Sequence, residues 1–181
     1  MTESDLEVTG IPDRQSELSA LEDTARLALE HAKRLGADQV EASVSIQYGL
    51  DVNVRKGEVE TLQHSRDSGL GVSVFLGQAK GHATSGDMRA DSVRLCVEKA
   101  VDIARFTQSD KCNGLAPADR LATAFPDLDL WHPQPMDVEA AVSRALECEA
   151  AGLAHPEISK DRKSTRLNSS HSSVSRMPSS A

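Results

Sequence analysis

The sequence predicts a two-layer α+β fold, with an antiparallel meander sheet of four to five strands and helices packed on one face of that sheet. Three observations lead to this prediction. Apolar residues recur with helical spacing in three segments, they alternate with polar residues in the middle of the chain, and no helix-length segment separates the predicted strands. The predicted order is therefore a helix, four or five strands, a helix, an irregular loop and a third helix.

The first helix is predicted from a capping-box spacing between Ser19 and Glu22. Lys33 and Arg34, followed by Gly36, predict its end. Its apolar residues form one stripe, which should face the core: Leu18, Leu21, Ala25, Ala28, Leu29 and Ala32.

Apolar residues recur at every second position from Val40 onward, which is typical of strands with one buried face. The alternation continues at Leu50 after Gly49, and turns are predicted at Lys56-Gly57, over residues 67–69 and at Gly77-Gln78. These turns divide the region into strands that pair with their sequence neighbours, the last one over residues 79–85.

Two further helices are predicted over residues 90–107 and 138–151, with Asp137 as the N-cap of the later one and Gly152 at its end. The apolar spacing places Cys96 and Cys148 on inner helix faces, as small core residues. The inner face of the earlier helix is predicted to comprise Val93, Cys96, Val97, Ala100, Ile103 and Ala104.

Composition and charge exclude several classes of protein. The chain has 181 residues, with 28 Asp and Glu against 20 Lys and Arg and a net charge of −8. An acidic chain gains no counterion release from DNA phosphates, so no nucleic-acid partner is predicted. No apolar run reaches the roughly 20 residues of a membrane helix, so no membrane partner is predicted. The three cysteines are odd in number and far apart, which favours reduced thiols and a cytoplasmic location.

No recognised catalytic pattern is present in the sequence. None of the six His residues is followed by Glu, so the helical zinc motif is missing, and Ser73 lies within a predicted strand instead of on a nucleophile elbow. His64 and His82 are either a metal pair across strands or, as we favour, two surface histidines. Glu58 and Glu60 fit a solvated charged face better than an acid/base pair. We therefore predict no catalytic, cofactor-binding or metal-ligating residue in this chain.

The predicted strand over residues 79–85 has small residues at alternate positions, namely Ala79, Gly81, Ala83 and Ser85. Small residues in a strand let another backbone approach closely. In one interpretation this strand is an accessible edge for a partner or a substrate peptide. In the other, the small residues make room for the second helix within one domain.

Five segments, in this order, resemble the N-terminal domain of the TldD/PmbA family, and the last of them resembles its PmbA (TldE) branch. They lie at residues 55–61, 69–72, 80–87, 104–110 and 127–133, within a resemblance that covers roughly residues 27–154. The resemblance implies a subunit of a bacterial zinc metallopeptidase complex that acts on peptides or unfolded proteins. It also implies a TldD-like catalytic partner that holds the zinc, and no family metal ligand or catalytic residue maps onto this sequence.

The predicted domain organisation has four parts. Residues 1–15 form a flexible N-terminus, 16–112 the α+β domain, and 113–160 a loop and helix that lead to a missing C-terminal domain. Residues 161–181 contain eight Ser and no aromatic residue, which predicts a disordered tail. Two stretches of this tail can be reverse-translated into the two halves of a common sequencing adapter, so we interpret it as an artefact that follows a truncation.

Two function classes remain open at this stage. The first is an N-terminal fragment of a PmbA-like metallopeptidase subunit that contributes subunit contacts and substrate-chamber surface. The second is a stand-alone, non-catalytic α+β module that binds a protein or a peptide. The continuation of the gene in clean genomic reads would distinguish the two.

Overall fold

The computed structural model describes residues 14–124, 126–130, 132, 137–158 and 163–173. Its contacts divide the chain into two compact units. Among the described residues, the first unit contains Arg14, 47–67 and the described part of 131–171. The second unit contains 15–46, the described part of 68–130 and residues 172–173. The predicted flexible N-terminus, residues 1–15, lies almost wholly outside the described residues.

The strands and helices occur in separate runs along the chain, as in an α+β protein. Three strands follow the first helix, and a fourth strand is the last element in the described part of the chain. The sheet order is β3-β2-β1-β4. The elements are α1 (Arg14–Arg34), β1 (Gln39–Arg55), β2 (Glu58–Leu76), β3 (Ala79–Ser85), α2 (Ala90–Phe106), α3 (Val138–Leu153) and β4 (Lys163–Ser173).

The second unit has a core between its two helices and one face of its strands. Alternate strand residues from Val40 to Val44 and from Leu70 to Val74 pack against the apolar stripes of α1 and α2. The predicted stripe of α1 is confirmed, apart from Leu18, which is only half-buried. The buried face of α2 comprises Val93, Cys96, Val97, Ala100, Val101 and Ala104, so Val101 takes the place predicted for Ile103.

The first unit has a smaller core, in which α3 lies on one strand. Leu50, Val52 and Val54 of β1 pack against Ala141 and Ala145. The predicted N-cap is confirmed, because the Asp137 side chain accepts a hydrogen bond of 3.0 Å from the backbone N–H of Glu139. Cys148 is exposed, so its predicted place in the core is wrong.

The predicted number of strands is too high for the meander, which has three strands between α1 and α2. The turn expected over residues 67–69 does not form, because β2 runs through it, and β1 likewise continues through Gly49. The reason is the backbone conformation, because Gly36, Gly57, Gly77 and Gly114 have positive φ angles whereas Gly49 and Gly69 do not. Without a positive φ, a strand glycine remains extended and simply leaves its position without a side chain.

The fourth strand, β4, lies where the sequence predicts disorder. Lys163–Ser173 pairs next to β1 at one end of the sheet. Backbone hydrogen bonding at a sheet edge requires no apolar side chains, so a segment of polar composition can still form a strand. Residues 174–181 lie outside the described part of the chain.

Candidate functional site

One face of the sheet in the second unit is polar. The side chains of Val72 and Val74 enter the helical core, so the residues between them point to the opposite face. There the cross-strand register places Gly71 opposite Thr84, and Ser73 opposite His82. Within this unit, one face of the sheet is therefore apolar and covered by helices, and the other carries hydroxyl, imidazole and glycine positions.

This polar face contains an open depression of about 390 Å³, which we call the glycine trough. Gly69 and Gly71 form its floor on the central strand β2. A Cβ atom at Gly69 would lie 3.4 Å from the Ser45 hydroxyl, and one at Gly71 would lie 3.5 Å from the His82 ring. The residues that line the trough are Ser43, Ser45, Ser68, Gly69, Leu70, Gly71, Thr84, Ser85 and Gly86.

Two of the hydroxyls that line the trough are engaged within the chain. The Ser68 hydroxyl donates to the Gly86 carbonyl at 2.7 Å, and the Ser85 hydroxyl accepts from the backbone N–H of Asp87 at 3.0 Å. Ser43 and Thr84 are exposed and line the trough, so a molecule that enters it can contact their hydroxyls. The hydroxyls of the trough can therefore donate and accept hydrogen bonds. The glycines beneath them let a second backbone approach closely.

Ser73 and His82 form a pair beside the trough, with 3.1 Å between the serine Oγ and the histidine Nδ1. A serine nucleophile needs such a base, but it also needs a third group that orients the base and free N–H donors for the oxyanion. Ser73 lies in the middle of a strand that β1 and β3 flank, where the ladder uses the backbone N–H groups. Among the described residues no third side chain hydrogen-bonds to the His82 ring, so we interpret the pair as a hydrogen-bonding contact.

The small residues of β3 have two different environments. Ala79 and Gly81 are buried, and a Cβ at Gly81 would lie 1.9 Å from the Ala100 carbonyl oxygen and 2.5 Å from the Ala104 nitrogen. Gly81 thus makes room for α2, as in the second sequence interpretation, and its side-chain face cannot also receive a partner. Ala83 and Ser85 are half-buried, and β3 ends the sheet on its side among the described strands.

The other candidates from the sequence are not brought together. Glu58, Glu60 and His64 are exposed in the first unit, where Glu60 forms an ion pair of 3.6 Å with Arg55. His82 belongs to the second unit. Within the ranges that the structure describes, no group of three or more His, Cys, Asp or Glu residues could hold a metal ion.

Sequence reasoning missed Glu149, which is almost fully buried on α3. Its carboxylate accepts hydrogen bonds of 2.7 Å from the backbone N–H groups of both Lys56 and Gly57. The sequence did contain a signal, because Ala141, Ala145 and Glu149 follow one another at intervals of four residues along one helix face. A glutamate in line with buried alanines predicts an internal hydrogen-bond partner.

The fold and the two faces of the sheet define a class of protein, an α+β domain with an antiparallel sheet that helices cover on one side. Residues 40–104 match the family model of PmbA/TldA metallopeptidase domain 1. The chain belongs to the PmbA/TldD family and carries its first domain.

Curated relatives agree with this assignment. The chain is 38% identical to the "Metalloprotease PmbA homolog" of Haemophilus influenzae over 133 residues, or 74% of this chain and 29% of that protein. It is 37% identical to "Metalloprotease PmbA" of Escherichia coli O157:H7 over 139 residues, or 77% of this chain and 31% of that protein. The chain thus spans less than a third of the length of these relatives.

A solved structure shares the fold at much lower identity. TldE from Thermococcus kodakarensis superposes with a TM-score of 0.55 at 14% identity, over 88% of this chain and 36% of that chain.

The family names imply a metal, and the described residues do not fit one. A catalytic zinc needs about three protein ligands and an open position for water. The described ranges bring together no such set, so we derive no step through zinc from these residues. No helix among them has the length and hydropathy to cross a bilayer.

Proposed function

We propose that this chain is the N-terminal part of a PmbA/TldE-like subunit of a bacterial zinc metallopeptidase complex. In this proposal it contributes surface for subunit assembly and for the substrate chamber, while a TldD-like partner holds the zinc and cleaves peptides or unfolded proteins. The family assignment supports the parent activity. The complex is expected in the cytoplasm.

The glycine trough is the observation on which the proposed chamber surface depends. Unfolded substrates differ in their side chains but share the same backbone groups. A contact surface of loose specificity should therefore bind main-chain groups. Gly69 and Gly71 let a backbone approach the floor, and the hydroxyls of Ser43 and Thr84 can exchange hydrogen bonds with its amides. Such contacts need no particular substrate side chain.

The outer edge of β3 is a second candidate contact in the same unit. The Ala79 side chain is buried and the space beside the Gly81 Cα is filled by α2, so the proposed contact depends on the main chain of Ala79–Ser85. An extended segment added to this edge would gain backbone hydrogen bonds. We retain this strand as the proposed partner or substrate edge on that basis.

The test uses the complete subunit, co-expressed with its catalytic partner. Thr84→Arg and Ser43→Arg each place a long charged side chain at an exposed position of the trough, whereas Gln78→Arg adds the same side chain at an exposed turn outside it. We expect the trough variants to lower peptide turnover several-fold, with unchanged unfolding temperature and unchanged co-purification of the partner. Gln78→Arg should behave as the parent protein.

Equal turnover in all three variants would remove the trough from the proposed function. If the catalytic partner cleaved peptides at the same rate with and without this subunit, that result would instead contradict the assignment as a peptidase subunit. The alternative, a stand-alone binding module, predicts that clean genomic reads contain a stop codon after residue 160. The subunit proposal predicts a long continuation in place of residues 161–181, which we still interpret as an artefact.

A further inference from the structure

His82 lies beside the floor of the glycine trough, on the polar face of the sheet. Its side chain is exposed, and its register partner on the neighbouring strand is Ser73. The ring carbon Cε1 would lie 3.5 Å from a Cβ atom at Gly71. Because the ring nitrogen Nε2 is bonded to Cε1, this nitrogen also lies next to the floor. The trough therefore has an imidazole nitrogen beside it, in addition to the hydroxyls that line it.

The Ser73 hydroxyl holds the other ring nitrogen of His82. Its Oγ lies 3.1 Å from Nδ1, and Ser73 is only 7% exposed. Among the described residues, His82 is the one hydrogen-bond partner of this hydroxyl. A hydroxyl has a single proton to donate, and burying that proton without an acceptor costs free energy. We therefore assign the Ser73 proton to this hydrogen bond, with Nδ1 as the acceptor.

The direction of this hydrogen bond determines which nitrogen of His82 can donate. A neutral imidazole carries one proton, on one of its two nitrogens. When Nδ1 accepts from Ser73, the proton is on Nε2, which is the nitrogen beside the trough. Within the described part of the chain, no group forms a hydrogen bond with Nε2. His82 thus presents a fixed N–H donor to a molecule that enters the trough.

Gly71 leaves a space beside this donor. Its φ angle is not positive, and a Cβ atom here would meet the His82 ring at an ordinary contact distance. Gly81 is the contrast, because α2 occupies the place of its Cβ. A glycine within a strand weakens the strand, and it often marks the close approach of a ligand or another backbone. The described neighbours of Gly71 do not fill this space, so it fits the backbone of a bound molecule.

The polar groups around this space suit an uncharged ligand. The residues that line the trough include no Asp, Glu, Lys or Arg, and a neutral His82 adds a donor without adding a charge. A main-chain carbonyl is a strong acceptor that every residue of a peptide carries. A peptide backbone that lies over Gly71 can bring such a carbonyl to Nε2.

We propose that His82 is a substrate-binding residue of the trough, whose Nε2–H donates to a main-chain carbonyl of an extended peptide. Ser73 is the positioning residue that fixes this tautomer, and Gly71 provides the space for the peptide backbone. This inference rests on the proposed function and deepens it, because it names the group of the substrate that the trough recognises and the residue that recognises it.

The position of the proton is tested by nuclear magnetic resonance of the full chain with isotope-labelled histidine. At about pH 8.5 unperturbed imidazoles are neutral, and correlations between ring nitrogens and ring protons show which nitrogen is protonated. The parent should have its His82 proton on Nε2. Ser73→Ala should increase the population that is protonated on Nδ1, with a circular dichroism spectrum like that of the parent. A parent His82 protonated on Nδ1 would overturn the proposal.

Peptide binding is measured on the same labelled chain with a capped hexapeptide of alternating alanine and glycine, which offers main-chain groups without charge. Its addition should shift the signals of the His82 ring and the Gly71 amide. His82→Leu should weaken binding about tenfold, as expected for the loss of one hydrogen bond, whereas His82→Gln keeps an N–H donor and should bind nearly as the parent does. His64→Leu is the matched control, because it removes an exposed strand histidine in the first unit and should leave binding unchanged.

Gly71→Ala separates the space for the ligand from the stability of the strand, since it should lower peptide affinity and keep the unfolding temperature. Unchanged binding by His82→Leu would overturn the proposal. Parent signals that do not move up to the solubility limit of the capped peptide would also overturn it, as would binding of the uncapped peptide alone, which would indicate a terminal carboxylate as the ligand. These measurements need no catalytic partner, so the turnover test of the proposed function remains independent of them.

Discussion

Glu149 and Gly57 are 92 residues apart in the sequence and are joined by a hydrogen bond of 2.7 Å from the glycine N–H to the glutamate Oε2. The second carboxylate oxygen accepts from the neighbouring Lys56 N–H at the same distance. Lys56 and Gly57 both have positive φ angles, which turns their two N–H groups towards one carboxylate. A residue of α3 thereby holds the turn between β1 and β2. The apolar contacts of α3 are with Leu50, Val52 and Val54, which precede this turn.

Glu149→Gln should destabilise the protein by about 2 kcal/mol, because an amide can accept from only one of the two N–H groups and presents a donor to the other. The control is Glu147→Gln, at an exposed position of the same helix. Urea denaturation measures the free energy of unfolding, and hydrogen exchange should show faster exchange of the Lys56 and Gly57 amides in Glu149→Gln only. Equal stability of the two variants would mean that the carboxylate does not hold the turn.

The packing of β3 against α2 predicts the effect of a single methyl group. A Cβ at Gly81 would overlap backbone atoms of Ala100 and Ala104, which cannot move without shifting the helix. Gly81→Ala should therefore lower the free energy of unfolding by about 3 kcal/mol.

Gly86→Ala is the control for this change, because the nearest atom to its Cβ would be the Ser68 carbonyl oxygen at an ordinary 3.5 Å. Thermal unfolding followed by circular dichroism measures both variants. If Gly81→Ala and Gly86→Ala unfold at the same temperature, α2 does not lie on β3 as closely as the structure has it.

The helices were the predictable part of this fold. Each has a long apolar stripe, and Asp137 marks the start of α3 with a side-chain acceptor at the right position. The strands were harder, because glycine does not reveal its φ angle. Gly57 turns the chain, whereas Gly69 remains within a strand, and the two look alike in the sequence.

The candidate site depends on relationships between strands, which a single sequence does not contain. The trough arises because Gly69 and Gly71 lie between strands with Ser45 and Thr84 at the matching positions. Strand register determines this arrangement, and register depends on turns that were predicted only in part. Gly81 could be singled out from the sequence, but only the position of α2 shows which neighbour needs the space.

Acid should weaken the start of α2 through Asp87. Its carboxylate accepts hydrogen bonds from the side chain and backbone of Arg89 and from the Ser92 hydroxyl, which favour the ionised form and hold the pKa of Asp87 well below its ordinary value of 3.8. Because the folded-state pKa is lowered, this stabilisation is complete above about pH 4 and is lost as the pH falls below it.

The measurement is the free energy of unfolding of the parent and of Asp87→Asn at successive pH values. Between about pH 4 and pH 2 the parent should lose more stability than Asp87→Asn, whose side chain does not titrate. Salt should reduce the difference, because both charged groups are partly exposed. Parallel pH profiles would show that Asp87 has no such role.

The three cysteines should separate into two reactivity classes. Cys96 is buried, and burial raises the pKa of its thiol, so little of the reactive thiolate forms there. Cys112 and Cys148 are exposed. An aromatic disulfide reagent should therefore titrate two thiols rapidly in the native protein and the third only after unfolding. Cys96→Ala should remove the slow thiol and leave the fast phase unchanged. Three fast thiols in the native protein would show that the α2 core opens readily, and this would contradict the close packing around Cys96.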